Sequence, residues 1–235
     1  MHRIAISFAV ISTQLILLFG PAKADPQGKR IAHVTTNVAQ AYVSTIAKSL
    51  TDRAKQFGMV VSTFSSPFDA ALQAQQMDDA IARKYHMFVL SPVSEQAIVP
   101  AATRAHQAGI PTIAIIVAPK AGTENLYISY IGEDQAKLGR IAGNSLVEAL
   151  KASGREGGKV AAITGSLQQA TAPLRMSAFR DALKANPKIE LVAVEDARWD
   201  TARSQQITSQ LLARFAGQGG LDRCRVDAAT CRDCR

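Results

Sequence analysis

The chain has 235 residues, of which 47% are hydrophobic and 20% charged, an ordinary globular composition long enough for one large domain or two small ones. Its formal net charge of +8 is distributed without a run of Lys and Arg and without a basic stripe interleaved with aromatic residues. These features exclude the usual electrostatic footprint of a nucleic-acid-binding protein, so we expect no nucleic-acid partner.

The first 24 residues contain the three parts of an export signal in the right order. His2 and Arg3 form a short positive start, residues 4–19 form an apolar run, and residues 22–24 (Ala-Lys-Ala) have the small residues of a cleavage site. An uncleaved anchor or a buried helix is the alternative, but the apolar run is short for a transmembrane span. We therefore expect cleavage after Ala24 and a periplasmic mature protein.

From residue 29 onward, short apolar runs alternate with amphipathic stretches. The predicted strands cover residues 31–34, 59–64, 87–90, 112–116, 128–131, 159–163 and 190–195. The predicted helices cover residues 42–57, 69–83, 97–108, 134–151, 172–185 and 201–215. This alternation predicts βαβ units and parallel sheets, whose ligands bind just beyond the carboxyl ends of the strands.

Five segments carry the patterns that identify a family. They are RIAHVTTNVAQAYVSTIAKSLTDRAKQFG, MFVLSPVSEQAIVPAATRAHQAGIPTIAI, YISYIGEDQAKLGRIAGNSL, KVAAITGSLQQATAPLRMSAFRDAL and VAVEDARWDTARSQQITSQLLARF. In this order they resemble the sugar-binding, ribose-binding-like branch of the type I periplasmic binding proteins, over about residues 29–222. The resemblance implies an α/β fold of two Rossmann-like lobes with parallel sheets, an N-terminal lobe at 25–133 and a partial C-terminal lobe at 134–222.

The resemblance also implies four ligand-binding residues in the cleft between the lobes. Gln40 stands at a position of polar contact, and Tyr42 stands at an aromatic position at the start of the first helix. Arg175 stands at one of two arginine-like positions after Gly165, and Trp199 stands where an aromatic residue of the second lobe covers the sugar ring. Such sites bind hydroxyls by hydrogen bonds and the apolar face of a sugar by aromatic contact.

Several positions depart from the pattern of the sugar binders that this chain resembles. Ile116 and Val117 stand where an Asp-Arg pair is common, and neither side chain can bond a hydroxyl. Pro173 stands at the other arginine position, and Tyr42-Val43 replaces a pair of phenylalanines. We therefore expect a sugar-like solute other than ribose.

Each candidate also has a purely structural interpretation. Trp199 and Tyr42 could be packing residues, and Arg175 could lie on the surface of a helix. Asp200 and Asp134 each precede a predicted helix, where an aspartate most often accepts hydrogen bonds as an N-cap.

An enzyme finds little support in the sequence. The chain lacks the G-x-S-x-G, P-loop and H-E-x-x-H motifs. His33, His86 and His106 are scattered, without partners at the spacing of a metal or catalytic site. We expect no catalytic residues, no cofactor and no metal site.

The last thirteen residues, 223–235, differ abruptly from the rest and contain all three cysteines, Cys224, Cys231 and Cys234. The resemblance implies that about a third of a typical member should follow the partial second lobe. A frameshift or gene-end artefact is the favoured interpretation. A three-cysteine metal site and a disulfide tail are the alternatives, although structural zinc takes four ligands and three cysteines leave one unpaired.

The resemblance implies solute capture for an ABC importer, with a sugar-like ligand and an inner-membrane ABC permease as partners and a monomeric binding protein. A periplasmic sensor that presents a bound sugar to a receptor is a second interpretation, and an inactive remnant of such a gene is a third. The sequence is compatible with all three.

Overall fold

The structure is a computed structural model that describes residues 25–216. The expected export signal at residues 1–24 and the cysteine-containing segment at 223–235 lie outside the described residues. Within residues 25–216, no helix is long and apolar enough to cross a membrane.

The first lobe is a five-stranded parallel sheet covered by helices. Its elements are β1 (Arg30–Thr35), α1 (Ala41–Gln56), β2 (Val60–Ser65), α2 (Ala70–Ala82), β3 (Met87–Leu90), α3 (Val99–Gln107), β4 (Thr112–Ile115), a 3₁₀ turn (Glu124–Leu126) and β5 (Ser129–Ile131). The strands lie in the order β2-β1-β3-β4-β5, and each pair is parallel. This is the open α/β arrangement that the alternating sequence pattern predicts.

The second lobe contributes a smaller parallel sheet. Its elements are α4 (Gln135–Ala152), β6 (Gly158–Thr164), α5 (Thr171–Leu183), β7 (Ile189–Asp196) and α6 (Thr201–Phe215). β6 and β7 pair in parallel, with a register shift between Val160 and Ala161. Among residues 25–216 this sheet has two strands. The prediction of an α/β fold with two lobes built on parallel sheets is confirmed for the described part of the chain.

The first sheet is buried on both faces, as expected for a parallel sheet between helices. One face packs Val34, Phe88 and Leu90 against Met77 of α2 and Ile98 before α3. The opposite face packs Ile31, Val89 and Ile115 against apolar residues that include Ile46 and Leu50 of α1. These two layers fix the carboxyl ends of the strands, from which the cleft loops begin.

Three helices begin at an aspartate whose side chain accepts a backbone N–H. Asp69 accepts from Leu72, Asp134 accepts from Lys137 and Asp200 accepts from Arg203. The predicted N-cap roles of Asp134 and Asp200 are therefore confirmed. α1 differs, because its N-cap residue is Gln40 and that side chain makes no capping bond.

Candidate functional site

The two lobes meet through the loops that follow their strands. The Gln40 amide, between β1 and α1, donates from Nε2 to the Trp199 carbonyl after β7, at 3.1 Å. The Gln169 amide, after β6, donates to the Pro92 carbonyl after β3, at 3.3 Å. The carboxyl ends of the two sheets therefore face each other across one cleft, which is where open α/β sheets bind ligands.

Trp199 lies in a strained turn at the second-lobe side of this cleft. Arg198 and Trp199 both have left-handed backbone angles, with φ of 53° and 60°. Residues other than glycine rarely adopt that conformation, and it costs of order 1–3 kcal/mol where it occurs. The indole packs against the backbone of Gly165, and its Nε1–H donates to Gln169 Oε1 at 2.9 Å.

Arg175 reaches the same place from α5. Its Nε donates to Gln135 Oε1 at 2.8 Å, and its guanidinium carbon lies 5.5 Å from the centroid of the Trp199 ring. Burial lowers the pKa of Arg175, whereas the charge of Glu133 acts to raise it. The half-buried guanidinium is thus held between an amide oxygen and an aromatic face, an arrangement that favours a cation.

The position of Arg175 depends on a close approach of two helices. Gly139 of α4 lies against the Arg175 carbonyl, and a β-carbon at residue 139 would collide with that oxygen. Gly143, one turn further along α4, meets Ala182 in the same way. The small residues of α4 therefore allow α5 to approach closely enough to place Arg175 beside Gln135.

Tyr42 lies on the first-lobe side of the cleft at the start of α1. Its hydroxyl donates to Glu133 Oε1 at 2.6 Å, and 54% of the residue is exposed. Burial of the hydroxyl, its hydrogen bond to Glu133 and the charge of Glu133 raise the pKa of Tyr42 to about 12. The phenol therefore stays protonated at neutral pH; its proton is donated to Glu133, and its oxygen can accept a further hydrogen bond.

Glu133 and Gln135 connect Tyr42 with Arg175. Gln135, 8% exposed, donates from Nε2 to the Glu133 carbonyl at 3.3 Å and to Glu133 Oε2 at 3.4 Å. Its Oε1 accepts from Arg175. A continuous polar network therefore runs from the first lobe through the crossover to the second lobe.

All four residues that the resemblance implies lie in this interlobe region. Tyr42 presents its phenol to this region, Arg175 its guanidinium and Trp199 its indole ring. The Gln40 amide, in contrast, donates to the backbone carbonyl of Trp199. Ligand contact by these residues stays a prediction.

Three further residues belong to the candidate site, although they were not predicted from the sequence. Glu133 and Gln135 flank the cap of α4, and Gln169 is buried between Pro92 and Trp199. The only available signal was the position of Gly132-Glu133-Asp134 at the predicted crossover between lobes.

Ile116 and Val117, which stand where the sugar binders commonly have an Asp-Arg pair, lie among apolar residues at the end of β4. Ile116 has a φ of 66° and packs against the apolar face of the first sheet, and Val117 is buried. Neither offers a polar side chain. Two buried side-chain oxygens, Glu95 Oε2 in the segment after β3 and Thr171 Oγ1 at the start of α5, have no hydrogen-bond partner within residues 25–216.

A cavity of about 410 Å³ opens beside Arg175 and Trp199, and all the residues that line it belong to the second lobe. Arg175, Trp199 and Gly165 line one end, and the rest follows the edge of β6 between α4, α5 and the start of α6. The described residues contain no cluster of His, Cys, Asp and Glu that could hold a metal ion. The site thus presents the aromatic surface of Trp199, the guanidinium of Arg175 and hydroxyl side chains, groups that suit recognition of a polar organic solute.

Comparisons with known proteins identify the family and the fold. Residues 31–223 match the family model of the periplasmic binding protein domain. The chain is 27% identical over 175 residues to the D-allose-binding periplasmic protein of Escherichia coli K12, which covers 71% of this chain and 55% of that protein. It is 25% identical over 199 residues to the D-ribose/D-allose-binding protein of Pseudomonas aeruginosa, covering 80% of this chain and 59% of that protein.

Solved structures share the fold. A solute-binding protein from Actinobacillus succinogenes with bound D-allose matches with a TM-score of 0.71 and 22% identity, covering 82% of this chain and 66% of that chain. The binding protein of the arabinose transporter from Shewanella sp. ANA-3 matches with a TM-score of 0.74 and 18% identity, covering 81% and 62%. The chain thus spans little more than half the length of the two curated relatives. On the family match and the two-lobed architecture, the chain belongs to the periplasmic binding protein family.

Proposed function

We propose that this chain is a solute-binding component of an ABC importer and that it captures a sugar or a sugar-like polyhydroxylated solute between its two lobes. The family comprises binding proteins, and the relatives named above are described as binding allose, ribose or arabinose. A binding protein needs complementary groups around its ligand and no reacting groups. The interlobe region offers the former.

One observation carries this proposal: Trp199, Arg175 and Tyr42 come from different lobes but converge on one cleft. An indole face suits the apolar face of a pyranose or furanose. The guanidinium supplies directional donors for hydroxyl oxygens, and the phenol oxygen of Tyr42, whose proton is donated to Glu133, can accept from a hydroxyl. When the lobes close around a solute, the aromatic contact and the hydrogen bonds would form together.

The remaining parts of the proposal concern the setting of the protein. We propose export to the periplasm with cleavage after Ala24, an N-terminal lobe at 25–133, a C-terminal lobe at 134–222 and a monomer that an inner-membrane permease recognises. The export segment has the composition that such a signal requires. Mass spectrometry of the protein recovered from a periplasmic extract would test this part, because cleavage after Ala24 leaves Asp25 as the first residue.

Calorimetric titration tests the binding function. The full chain is titrated with D-allose, D-ribose, L-arabinose and D-galactose, and with leucine as a solute of another class. The proposal expects saturable heat from at least one sugar and none from leucine, and a loss of at least about tenfold in affinity in Trp199→Ala, equivalent to about 1.4 kcal/mol. Binding of leucine without any sugar would contradict it.

A further inference from the structure

We propose that Gln169 is a positioning residue that orients the indole of Trp199 and ties it to the first lobe. The inference rests on the proposed function only for its consequence in solute binding. The hydrogen bonds that carry it can be tested without a solute.

Both ends of the Gln169 amide are engaged, and in different lobes. Its Oε1 accepts the indole Nε1–H of Trp199 at 2.9 Å, within the second lobe. Its Nε2 donates to the Pro92 carbonyl at 3.3 Å, in the loop after β3 of the first lobe. The residue is only 4% exposed, so either bond, once lost, would leave a buried polar group unpaired.

The other contacts of the Trp199 indole do not fix the direction of its N–H. The backbone of Trp199 is held in a left-handed conformation, and one face of the ring lies on Gly165, which has no side chain. Arg175 lies over the ring, and a cation–π contact constrains the ring plane more than the direction of the N–H. The bond to Gln169 fixes that direction.

Trp199 is thereby attached to the first lobe twice, once at each end. The first-lobe residue Gln40 donates to its carbonyl, and Gln169 links its indole to Pro92. Separation of the lobes breaks the Gln40–Trp199 and Gln169–Pro92 bonds but leaves the Gln169–Trp199 bond within the second lobe. Gln169 thus transmits lobe closure to the ring that faces the cleft.

The experiment uses the fact that Trp199 is the only tryptophan of the chain. The full chain, labelled with ¹⁵N, gives one indole N–H resonance, whose shift and solvent exchange report the hydrogen bond directly. Gln169→Met keeps the side-chain length but removes both the amide oxygen and the amide nitrogen. Gln169→Glu keeps an oxygen acceptor for the indole and removes the amide donor to Pro92. Gln168→Met, at the exposed neighbouring position, is the matched control.

The proposal expects Gln169→Met to move the indole resonance upfield and to speed its exchange at least tenfold, while Gln168→Met leaves both unchanged. Gln169→Glu should keep slow exchange. An unchanged resonance in Gln169→Met would overturn the proposal. If Gln169→Met fails to fold, Gln169→Glu provides the test. Fast indole exchange in a folded Gln169→Glu protein would also overturn the proposal.

The consequence for binding is tested with the sugar that gives heat in the wild-type protein. We expect Gln169→Met to weaken that binding at least about fivefold in the wild-type background and by a smaller factor in a Trp199→Phe background, where the bond to the Pro92 carbonyl is the only one of the two left to lose. Equal losses in both backgrounds would overturn the positioning role. If no sugar binds the wild-type protein while the indole results hold, the proposed function fails and the anchoring of Trp199 stands.

Discussion

The indole of Trp199 lies directly on Gly165, so closely that a β-carbon at residue 165 would come within 3.0 Å of three ring carbons. Gly165 follows β6 and Trp199 follows β7, so this contact joins the carboxyl ends of two paired strands. Because residue 165 has no side chain, the ring of Trp199 has room to lie at the edge of the cleft. The ring could not occupy this position above any other residue type.

The first prediction concerns this contact. Gly165→Ala should displace the Trp199 ring, because the added carbon meets the rigid indole rather than the end of a flexible chain. We expect a loss of about 1–3 kcal/mol in the free energy of unfolding, measured by urea denaturation, and a loss of sugar affinity. The control is the same substitution in a Trp199→Ala background, where it should cost less than about 0.5 kcal/mol. Equal costs in both backgrounds would show that the ring is not what residue 165 accommodates.

The second prediction concerns Arg175. Arg175→Met removes the donor to the buried Gln135 Oε1 and the cation beside Trp199. We expect a cost of about 1–3 kcal/mol in unfolding free energy and weaker sugar binding by calorimetry. Arg180→Met, at an exposed position of the same helix, is the matched control and should stay within about 0.5 kcal/mol of the wild type. Equal effects of the two substitutions would exclude a specific role for Arg175.

The third prediction concerns the pH dependence of stability. His33 is fully buried on β1, its Nδ1 lies 3.3 Å from Thr63 Oγ1, and burial lowers its pKa from 6.5 to about 4. As the pH falls, the unfolded chain takes up the proton on His33 before the folded chain does. The contribution of His33 to the free energy of unfolding is therefore complete above pH 6.5 and is lost as the pH drops from 6.5 to about 4. Below about pH 4 it changes no further. The shift corresponds to about 3 kcal/mol.

Urea denaturation between pH 7.5 and pH 4 measures this effect of His33. In His33→Asn, which has no titrating ring, the part of the decline between pH 6.5 and 4 that comes from His33 should disappear. His106→Asn, at an exposed position of α3, serves as the control, and the part of the decline that comes from His33 should remain in it. A His33→Asn profile that parallels the wild type would contradict the assignment.

The fourth prediction separates a capping role from a binding role at Asp200, which also borders the cavity. Its Oδ1 accepts the backbone N–H of Arg203 at 2.6 Å. Asp200→Ala should lower the unfolding free energy by about 1 kcal/mol, and Asp200→Asn by much less, because asparagine caps nearly as well. Sugar affinity should change less than about twofold in both. A large loss of affinity at unchanged stability would assign Asp200 to the ligand instead.

Hydrophobic periodicity predicts the fold well because each element buries one face or one stripe, which the sequence records locally. Deviations occur at the ends of elements. The strand predicted for residues 112–116 ends at Ile115, because Ile116 takes a left-handed φ of 66° that cannot continue a strand. The helix predicted for residues 97–108 begins at Val99, after a turn at Ile98 and with Pro100 in its first turn.

The site was predicted less completely than the fold. The resemblance implied Gln40, Tyr42, Arg175 and Trp199, and the structure places all four in the interlobe region. Gln135 and Gln169 were missed because their partners are distant in the sequence: Gln135 accepts from Arg175, and Gln169 binds Trp199 in its own lobe and Pro92 in the other. No local pattern distinguishes Gln169, which is buried, from its exposed neighbour Gln168. Interlobe contacts depend on the relative placement of two sheets, which side-chain periodicity does not encode.

The most direct test of the central claim, that a sugar binds between the lobes against Trp199, is the emission of this single tryptophan during titration of the full chain with the four monosaccharides named above. We predict a saturable change in emission with at least one sugar, at the same half-saturating concentration that calorimetry gives, and no change with leucine. Saturable calorimetric binding of a sugar without any change in Trp199 emission would place that sugar elsewhere. Absence of binding by every sugar tested would contradict the proposed function itself.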